Sequence, residues 1–179
     1  QVDGIEIDKY SAELARPYCR RVIEADLDQE WQTNRRYDVV VAADVLEHLK
    51  NPEFVLSKIK TCLKTGSTLI VSLPNIANIY VRLNLLAGRF PYHRKGILDK
   101  THLHFYTRDS AESLLSRTGW TIVGKDVSVI PLTIVFPFLH KWGFRWILYC
   151  LRIVTKMMPG LFAYQCLFRC RNPNESDLL

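Results

Sequence analysis

The 179 residues include five cysteines, an odd number, and no two of them form a Cys-x-x-Cys pair. Zinc ribbons need such pairs, and disulfide-rich folds need an even set of cysteines, so the sequence argues against both classes. Reduced thiols are the expectation. Internal repeats and low-complexity segments are lacking as well. These absences favour an ordinary globular chain, long enough for one domain with its own core.

A concentrated charge of one sign is also lacking. The chain has 24 Lys and Arg against 18 Asp and Glu, a net charge of +6, and the basic residues are scattered over most of its length. Proteins that bind nucleic acid usually gather basic residues on one face, so this distribution disfavours a nucleic-acid partner. The mild positive charge is compatible with an anionic ligand or an anionic membrane surface.

The order of apolar runs over the first two thirds of the chain is typical of an α/β protein. Short runs predict strands at residues 2–7, 21–25, 37–43, 68–73 and 120–123. Helix starts are expected at Asp8, at Pro52 and near Thr107 or Asp109, and residues 64–66 are expected to end the second helix. The valine run of the third strand predicts a central parallel strand covered on both faces. The alternation predicts a Rossmann-like, doubly wound, mostly parallel sheet.

Polar residues follow the first two predicted strands. Ligands of open α/β sheets bind beyond the carboxyl ends of the strands, so these residues are candidates for a binding site. Glu6 can accept hydrogen bonds from both hydroxyls of a ribose, although a solvated Glu at a strand end would look the same. Asp26 suits the edge of an adenine, and its alternative role is a helix cap.

The third predicted strand ends in two small residues followed by Asp44, Glu47 and His48. If a helical turn begins at Asp44, the three side chains lie at i, i+3 and i+4 and share a face. Such a group can act as a general base or hold a hard divalent metal. The alternative is a helix start that favours acidic residues, with His48 in a structural hydrogen bond.

These segments resemble the class I S-adenosylmethionine-dependent methyltransferases, over residues 2 to about 123. GIEID resembles the segment whose acidic residue holds the cofactor ribose, and EADL resembles the segment that contacts adenine. YDVVVAADVLEHL and LKTGSTLIVSLPN resemble the fourth strand, the next helix and the fifth strand of that family. The resemblance implies that S-adenosylmethionine is the cofactor, bound by Glu6, Ile7, Asp26, Leu27, Ala43 and Asp44.

The run LEHL…SLPN…GRF…ILDKTHLHFYT is similar to small bacterial methyltransferases associated with quinone-like compounds, cell-surface sugars or secondary metabolites. It implies methyl transfer to a hydroxyl of a small metabolite, a sugar or a lipid-like acceptor, with His48 and Glu47 as catalytic residues. Residues 75–107 are expected to form a lid on the acceptor side. The polar and aromatic side chains expected to meet the acceptor there are Tyr80, Arg82, Arg89, Tyr92, His93 and Arg94.

The DVLEH motif also resembles the acidic-x-x-Glu-His cluster that binds a divalent metal in small-RNA 2′-O-methyltransferases and in some quinone O-methyltransferases. His102 falls where the RNA enzymes place a further histidine ligand. The metal site implied by this resemblance consists of Asp44, Glu47, His48 and His102. The alternative is that His48 acts as the base for the acceptor or orders the site.

One family motif is missing from these 179 residues. The strand and Gly-rich loop that cradle the methionine half of the cofactor should precede Glu6, so we expect either a fragment or a fold that has lost this half-site. Two other functions compete with methyl transfer. A degenerate domain would bind a partner or a membrane without catalysis. A nicotinamide-dependent oxidoreductase would use Glu6 for NAD, although the chain has no Tyr-x-x-x-Lys proton relay.

The C-terminal part, residues 127–179, differs in character from residues 1–126, where we expect the methyltransferase domain. Residues 129–139 are apolar but too short, and too interrupted by proline, to span a bilayer. Residues 140–168 predict an amphipathic helix that lies on an anionic bilayer, lines a lipid-like acceptor site, or packs on the sheet or a partner. Its aromatic and basic residues are Lys141, Trp142, Phe144, Arg145, Trp146, Tyr149, Arg152 and Lys156. A polar tail is expected from residue 169. We expect a cytoplasmic protein, and the alternative is peripheral contact with the inner face of the membrane.

Overall fold

The computed structural model describes residues 1–131 and 145–173. Its strands are β1 (Asp3–Glu6), β2 (Arg21–Glu24), β3 (Tyr37–Ala43), β4 (Leu63–Pro74), β5 (Thr121–Ser128) and β6 (Gln165–Arg171). Its helices are α1 (Lys9–Ala15), a 3-10 turn (Leu46–His48), α2 (Pro52–Cys62), α3 (Ile79–Leu86), α4 (Arg108–Arg117), α5 (Arg145–Met157) and α6 (Pro159–Phe162). The predictions for residues 132–139, for Lys141, Trp142 and Phe144, and for the tail from residue 174 lie outside the described residues.

The first four strands point in one direction. β1 pairs with β2 and β3 pairs with β4, both in parallel. At the starts of β3 and β1, the hydroxyl of Tyr37 donates to Asp3 Oδ2 over 2.8 Å. Beyond their ends, the carboxylate of Asp28, which follows β2, accepts the backbone N–H of Lys50 at 3.0 Å. The two parallel pairs therefore present their carboxyl ends on a common rim, although β1 and β3 are not hydrogen-bonded to each other.

β6 lies in the middle of the second sheet, between β4 and β5 and antiparallel to both. It is the exception in direction among the six described strands, so the prediction of a mostly parallel α/β sheet is confirmed.

The prediction of a helix through residue 168 and of a polar tail from residue 169 is wrong, because residues 165–171 form β6. Burial alternates along β6, with Cys166, Phe168 and Cys170 buried and Arg169 and Arg171 exposed, which is the period of a strand.

β3 is an edge strand in the described part of the structure, because its pairing is with β4 alone. Val39 is 51% exposed and Val41 is 62% exposed. The prediction that this strand is central and covered on both faces is therefore wrong for the residues described. An uninterrupted valine run reports a preference for extended backbone, but it does not identify which neighbours cover the strand.

The predicted helix starts are confirmed, and each has a local cause. The Asp8 carboxylate accepts the N–H of Ser11 at 2.7 Å and caps α1. Pro52 occupies the first turn of α2, and Thr107 caps α4 in a capping box with Ser110. The predicted end of α2 is misplaced, because the helix stops at Cys62 and residues 64–66 already belong to β4.

The core lies between the four-stranded sheet and the helices α2 and α4. α2 buries Val55, Leu56, Ile59 and Cys62, which lie on one face of the helix. Each fully buried aliphatic side chain contributes roughly 1.5–3 kcal/mol. Phe168 of β6 belongs to the same core, so a strand from the C-terminal part completes packing begun by residues before 126. The division of the chain at residue 126 stays a prediction.

The five cysteines are all free, and Cys62, Cys166 and Cys170 are buried. Within the described residues, no helix has the length and apolar character needed to cross a membrane.

Replacing Phe168 by alanine should lower the free energy of unfolding by about 3–5 kcal/mol, because the ring is 1% exposed and its removal leaves a cavity. Leu86 on α3, which is 84% exposed, provides the matched control and should change stability by less than about 0.5 kcal/mol. Urea denaturation of both variants measures the difference. A cost for Phe168→Ala as small as that of the control would contradict the placement of β6 in the sheet.

Candidate active site

A cleft of about 240 Å³ opens where β3 and β4 end and where the antiparallel β6 begins. These three strand ends meet at one rim, which is where open α/β sheets place their ligands. We call this cavity the rim cleft. Its lining residues are Asp44, Glu47, His48, Pro74, Lys95, Gly96, Asp99, His102, Tyr164 and Gln165.

Asp44 lies in the rim cleft but not on a helical face with Glu47. Its φ of 52° is left-handed, and the 3-10 turn starts only at Leu46, so the prediction of a turn beginning at Asp44 is wrong. Its carboxylate instead accepts two bonds from Gln165 Nε2, at 2.8 and 2.6 Å, and one from Ser72 Oγ at 3.1 Å. A left-handed non-glycine residue costs of order 1 kcal/mol, which these bonds help to offset.

Glu47 is the most deeply buried polar side chain of the site. It is 1% exposed, and neither carboxylate oxygen has a hydrogen-bond partner among the described residues. Burial raises the pKa of Glu47 to about 7, and the nearby Asp44 carboxylate adds to the rise. A carboxyl group of this kind can exchange its proton near neutral pH or hold a cation that neutralises it.

The two histidines of the cleft are held in the same way. Nδ1 of His48 lies 3.2 Å from the carbonyl oxygen of Thr101, and Nδ1 of His102 lies 3.2 Å from that of Ile97. Because a carbonyl can only accept, each Nδ1 carries the hydrogen, and in a neutral ring the lone pair is then on Nε2. The ring centroids are 4.8 Å apart at an interplanar angle of 70°. Burial and the neighbouring His48 lower the pKa of His102, which favours its neutral form.

The backbone of Glu47 brings His102 to the site from a distant part of the chain. The carbonyl oxygen of Glu47 accepts the N–H groups of Leu103 at 2.8 Å and His104 at 3.1 Å. As a result His102 Nε2 lies 4.0 Å from Glu47 Oε1. One ligand atom from each of Glu47, His48 and His102 falls within 4.8 Å of the others. Three of the four predicted metal ligands thus converge, and Asp44 is not part of this group.

The residues expected to hold the cofactor lie on the same rim. Glu6 at the end of β1 accepts the N–H of Asp8 at 3.0 Å, and Asp26 just beyond β2 accepts the N–H of Asp28 at 2.9 Å. Both carboxylates are half-buried, and each keeps a second oxygen for other partners. Ile7 and Ala43 are exposed at the same ends, whereas Leu27 packs against the core. Their roles toward a cofactor stay predictions.

Several residues that line the rim cleft were not predicted from the sequence. Gln165 begins a strand that was not predicted, and Tyr164 directly precedes it, so no sequence signal pointed to them. Lys95, Gly96 and Asp99 lie within the predicted lid but were not singled out. The six lid side chains named from the sequence do not line the rim cleft, and part of that stretch is the helix α3. They are Tyr80, Arg82, Arg89, Tyr92, His93 and Arg94.

Comparison with known sequences identifies the family. Residues 1–125 match the sequence profile of a family described as a methyltransferase domain, which is 125 of the 179 residues. The chain belongs to this family. It is a class I methyltransferase that depends on S-adenosylmethionine, and this assignment argues against the nicotinamide-dependent alternative. A search of curated proteins finds no match.

Solved structures agree with the methyltransferase fold. A methyltransferase from Archaeoglobus fulgidus, dependent on S-adenosylmethionine, superimposes with a TM-score of 0.61 at 17% identity, over 95% of this chain and 75% of that one. The N-methyltransferase NodS of Bradyrhizobium japonicum, in complex with S-adenosyl-L-homocysteine, gives 0.56 at 14% identity, over 97% and 67%. At such identities the likeness shows the fold, while the acceptor needs its own argument.

Glu47→Gln should stabilise the protein at alkaline pH, and the gain should fade as the pH drops. The folded chain keeps Glu47 protonated up to about pH 7, whereas the unfolded chain ionises it near its ordinary value of 4.5. Between these values ionisation favours the unfolded state, so wild-type stability falls as the pH rises. This pKa difference corresponds to a gain in the stability of Glu47→Gln over wild type of roughly 3 kcal/mol above pH 7 and of almost nothing below about pH 4.

Denaturant titrations of wild type and variant across this pH range, with a chelator present, measure the gain. Glu30→Gln is the matched control, because Glu30 is an exposed carboxylate paired with Lys58 and its removal should matter little at any pH. A difference between Glu47→Gln and wild type that does not change with pH would show that Glu47 is not held protonated in the folded protein.

Proposed function

We propose that the methyltransferase transfers a methyl group from S-adenosylmethionine to a hydroxyl of a small acceptor in the rim cleft, with His48 as the base. The observation that carries this proposal is the pair of histidines whose Nδ1 atoms face backbone carbonyls, which leaves both Nε2 atoms available beside a buried carboxyl group. A hydroxyl acceptor must lose its proton as it is methylated, so a base in the cleft is what the reaction needs.

A chain of hydrogen bonds supports the role of His48. Its Nδ1–H faces the carbonyl and hydroxyl oxygens of Thr101, each at 3.2 Å. The Thr101 hydroxyl in turn donates to Asp99 Oδ1 at 2.7 Å, so it can only accept from the ring. These contacts orient the imidazole and stabilise the positive charge that develops when Nε2 takes the acceptor proton.

The residues of the rim fit the adenosine half of the cofactor. Glu6 would hold the ribose hydroxyls and Asp26 the adenine edge, with Ile7 and Leu27 beside them and Ala43 leaving room at the end of β3. When bound, the cofactor supplies an electrophilic methyl group on a sulfonium. The chain's part is to align the acceptor oxygen, exclude water and remove the proton, while the C–S bond breaks as the O–C bond forms.

The dimensions of the rim cleft favour a small acceptor group. Its volume of about 240 Å³ lies below the range of roughly 300–1,000 Å³ typical of sites for drug-sized ligands. A phenol ring, a sugar hydroxyl or the head of a lipid-like molecule fits this limit. The lining combines the cation of Lys95 with the carboxylates of Asp44 and Asp99, so it does not favour one sign of charge on the acceptor.

A divalent metal is the second candidate for activating the acceptor, and two observations favour it. Glu47, His48 and His102 offer one carboxylate and two imidazole ligands within 4.8 Å of one another, and the buried Glu47 oxygens have no other partner among the described residues. Metal-binding histidines usually donate their second ring N–H to a backbone carbonyl or carboxylate, as both do here. This ligand set suits zinc, iron, nickel or manganese better than magnesium.

The cofactor assignment predicts that Glu6→Ala weakens binding of S-adenosylhomocysteine by roughly ten- to a hundredfold, the value of a hydrogen bond to a charged acceptor. Glu24→Ala is the matched control. Glu24 pairs with Glu6 in the register of β1 and β2, but its side chain binds Arg16. Calorimetric titration measures the wild type and both variants. Equal losses for the two variants, or no binding by the wild type, would contradict the assignment.

The two mechanisms predict opposite effects of a chelator on activity. With a panel of phenols, sugars and polyols, release of S-adenosylhomocysteine should survive chelation if His48 is the base, and His48→Ala should lower kcat by about 10²–10⁴. If a metal activates the acceptor, chelation should abolish activity. In that case His102→Ala should weaken the binding of added Zn²⁺ or Mn²⁺, measured by calorimetry. His93→Ala is the control, because His93 bonds to Tyr80 outside the cleft. Activity that His48→Ala and chelation both leave intact would reject the two mechanisms.

A further inference from the structure

α5 carries an apolar stripe on its outer side. Trp146, Tyr149, Ile153 and Met157 follow one another at spacings of three and four residues, so they lie along one face of the helix. They are 64%, 66%, 41% and 76% exposed, respectively. We call these four residues the α5 stripe.

The opposite face of α5 packs on the protein. Thr155 is fully buried there, with its hydroxyl donating to the Leu151 carbonyl, and Leu148 and Leu151 are half-buried. The helix is thus apolar on the side that meets the protein and again on the side that meets solvent. A surface helix of a globular protein normally turns polar residues outward, so we expect a binding partner to cover the α5 stripe.

Basic residues predominate in the stretch of chain that contains α5. Residues 127–174 contain six Lys and Arg and no Asp or Glu, although the whole chain has a net charge of only +6. Arg152 and Lys156 are exposed on α5 itself. One carboxylate, that of Asp126 on β5, lies 3.6 Å from the Lys156 amino group and offsets part of this charge. Basic residues beside an exposed aromatic and aliphatic stripe complement an anionic surface.

We propose that α5 docks on an anionic lipid bilayer, with the α5 stripe among the headgroups and upper acyl chains and the helix axis in the membrane plane. Tryptophan and tyrosine favour this interfacial depth because their rings combine an apolar body with a polar edge. A second copy of the chain is a poorer occupant, since stripe-to-stripe packing of two α5 helices would bring Arg152 and Lys156 of each copy together. This proposal is independent of the acceptor and of the methyl transfer.

Sedimentation with lipid vesicles tests the docking. The full chain should bind vesicles of mixed phosphatidylcholine and phosphatidylglycerol at least about tenfold more tightly than vesicles of phosphatidylcholine alone, and salt should weaken the binding. The double variant Trp146→Ser, Met157→Ser should lose about tenfold or more in affinity for the mixed vesicles. The matched control is Tyr10→Ser, Tyr18→Ser, which removes two side chains of comparable exposure near α1 and should bind like wild type.

Three outcomes would overturn the proposal. One is equal binding of the α5 variant and the control to the mixed vesicles. Another is binding that does not depend on phosphatidylglycerol. The third is a concentration-dependent dimer, seen by light scattering without lipid and lost in the α5 variant, because the stripe would then be covered by a second copy. Circular dichroism of both variants checks that the fold is intact, and a variant with the single change Met157→Ser keeps the test valid if the double variant unfolds.

Discussion

The burial of the Glu47 carboxyl group is the constraint around which the site is arranged. Its oxygens have no hydrogen-bond partner among the described residues, so the group is stable only when it is protonated or neutralised by a cation. The backbone of the same residue anchors the loop that carries His102. Glu47 therefore supplies the buried carboxyl group and also fixes the position of the second histidine, and the proposed metal site depends on both.

The two mechanisms share one geometry. In each, backbone carbonyls hold Nδ1–H of His48 and His102, and the Nε2 atoms are left for chemistry. A base uses one of them to take a proton, whereas a metal would use both with Glu47. The carboxylate of Asp44, which a simple reading of the motif adds to the metal site, is instead tied to Gln165 at the start of β6. The rim cleft therefore combines residues from widely separated parts of the chain.

The C-terminal part of the chain contributes to both the rim cleft and the exposed α5 stripe. β6 enters the sheet, places Phe168 in the core and brings Gln165 to the rim cleft. α5 precedes it and presents the α5 stripe to solvent. The proposed catalytic residues and the proposed membrane contact are thus on separate elements, so each can be altered by mutation without changing the other. The link between α5 and β6 is the short segment that contains α6 and Tyr164.

The sequence itself determined the helix starts at Asp8, Pro52 and Thr107, because caps and proline positions act over a few neighbouring residues. It also determined the parallel strands and the family, through apolar runs and motif residues that are contiguous in the chain. Tertiary structure alone decided three features: β6 as a strand, β3 as an edge among the described residues, and the exclusion of Asp44 from the histidine group. Each depends on a partner far away in the chain. Strand pairing, burial and the left-handed turn at Asp44 are set by those distant contacts, and short-range patterns carry no record of them.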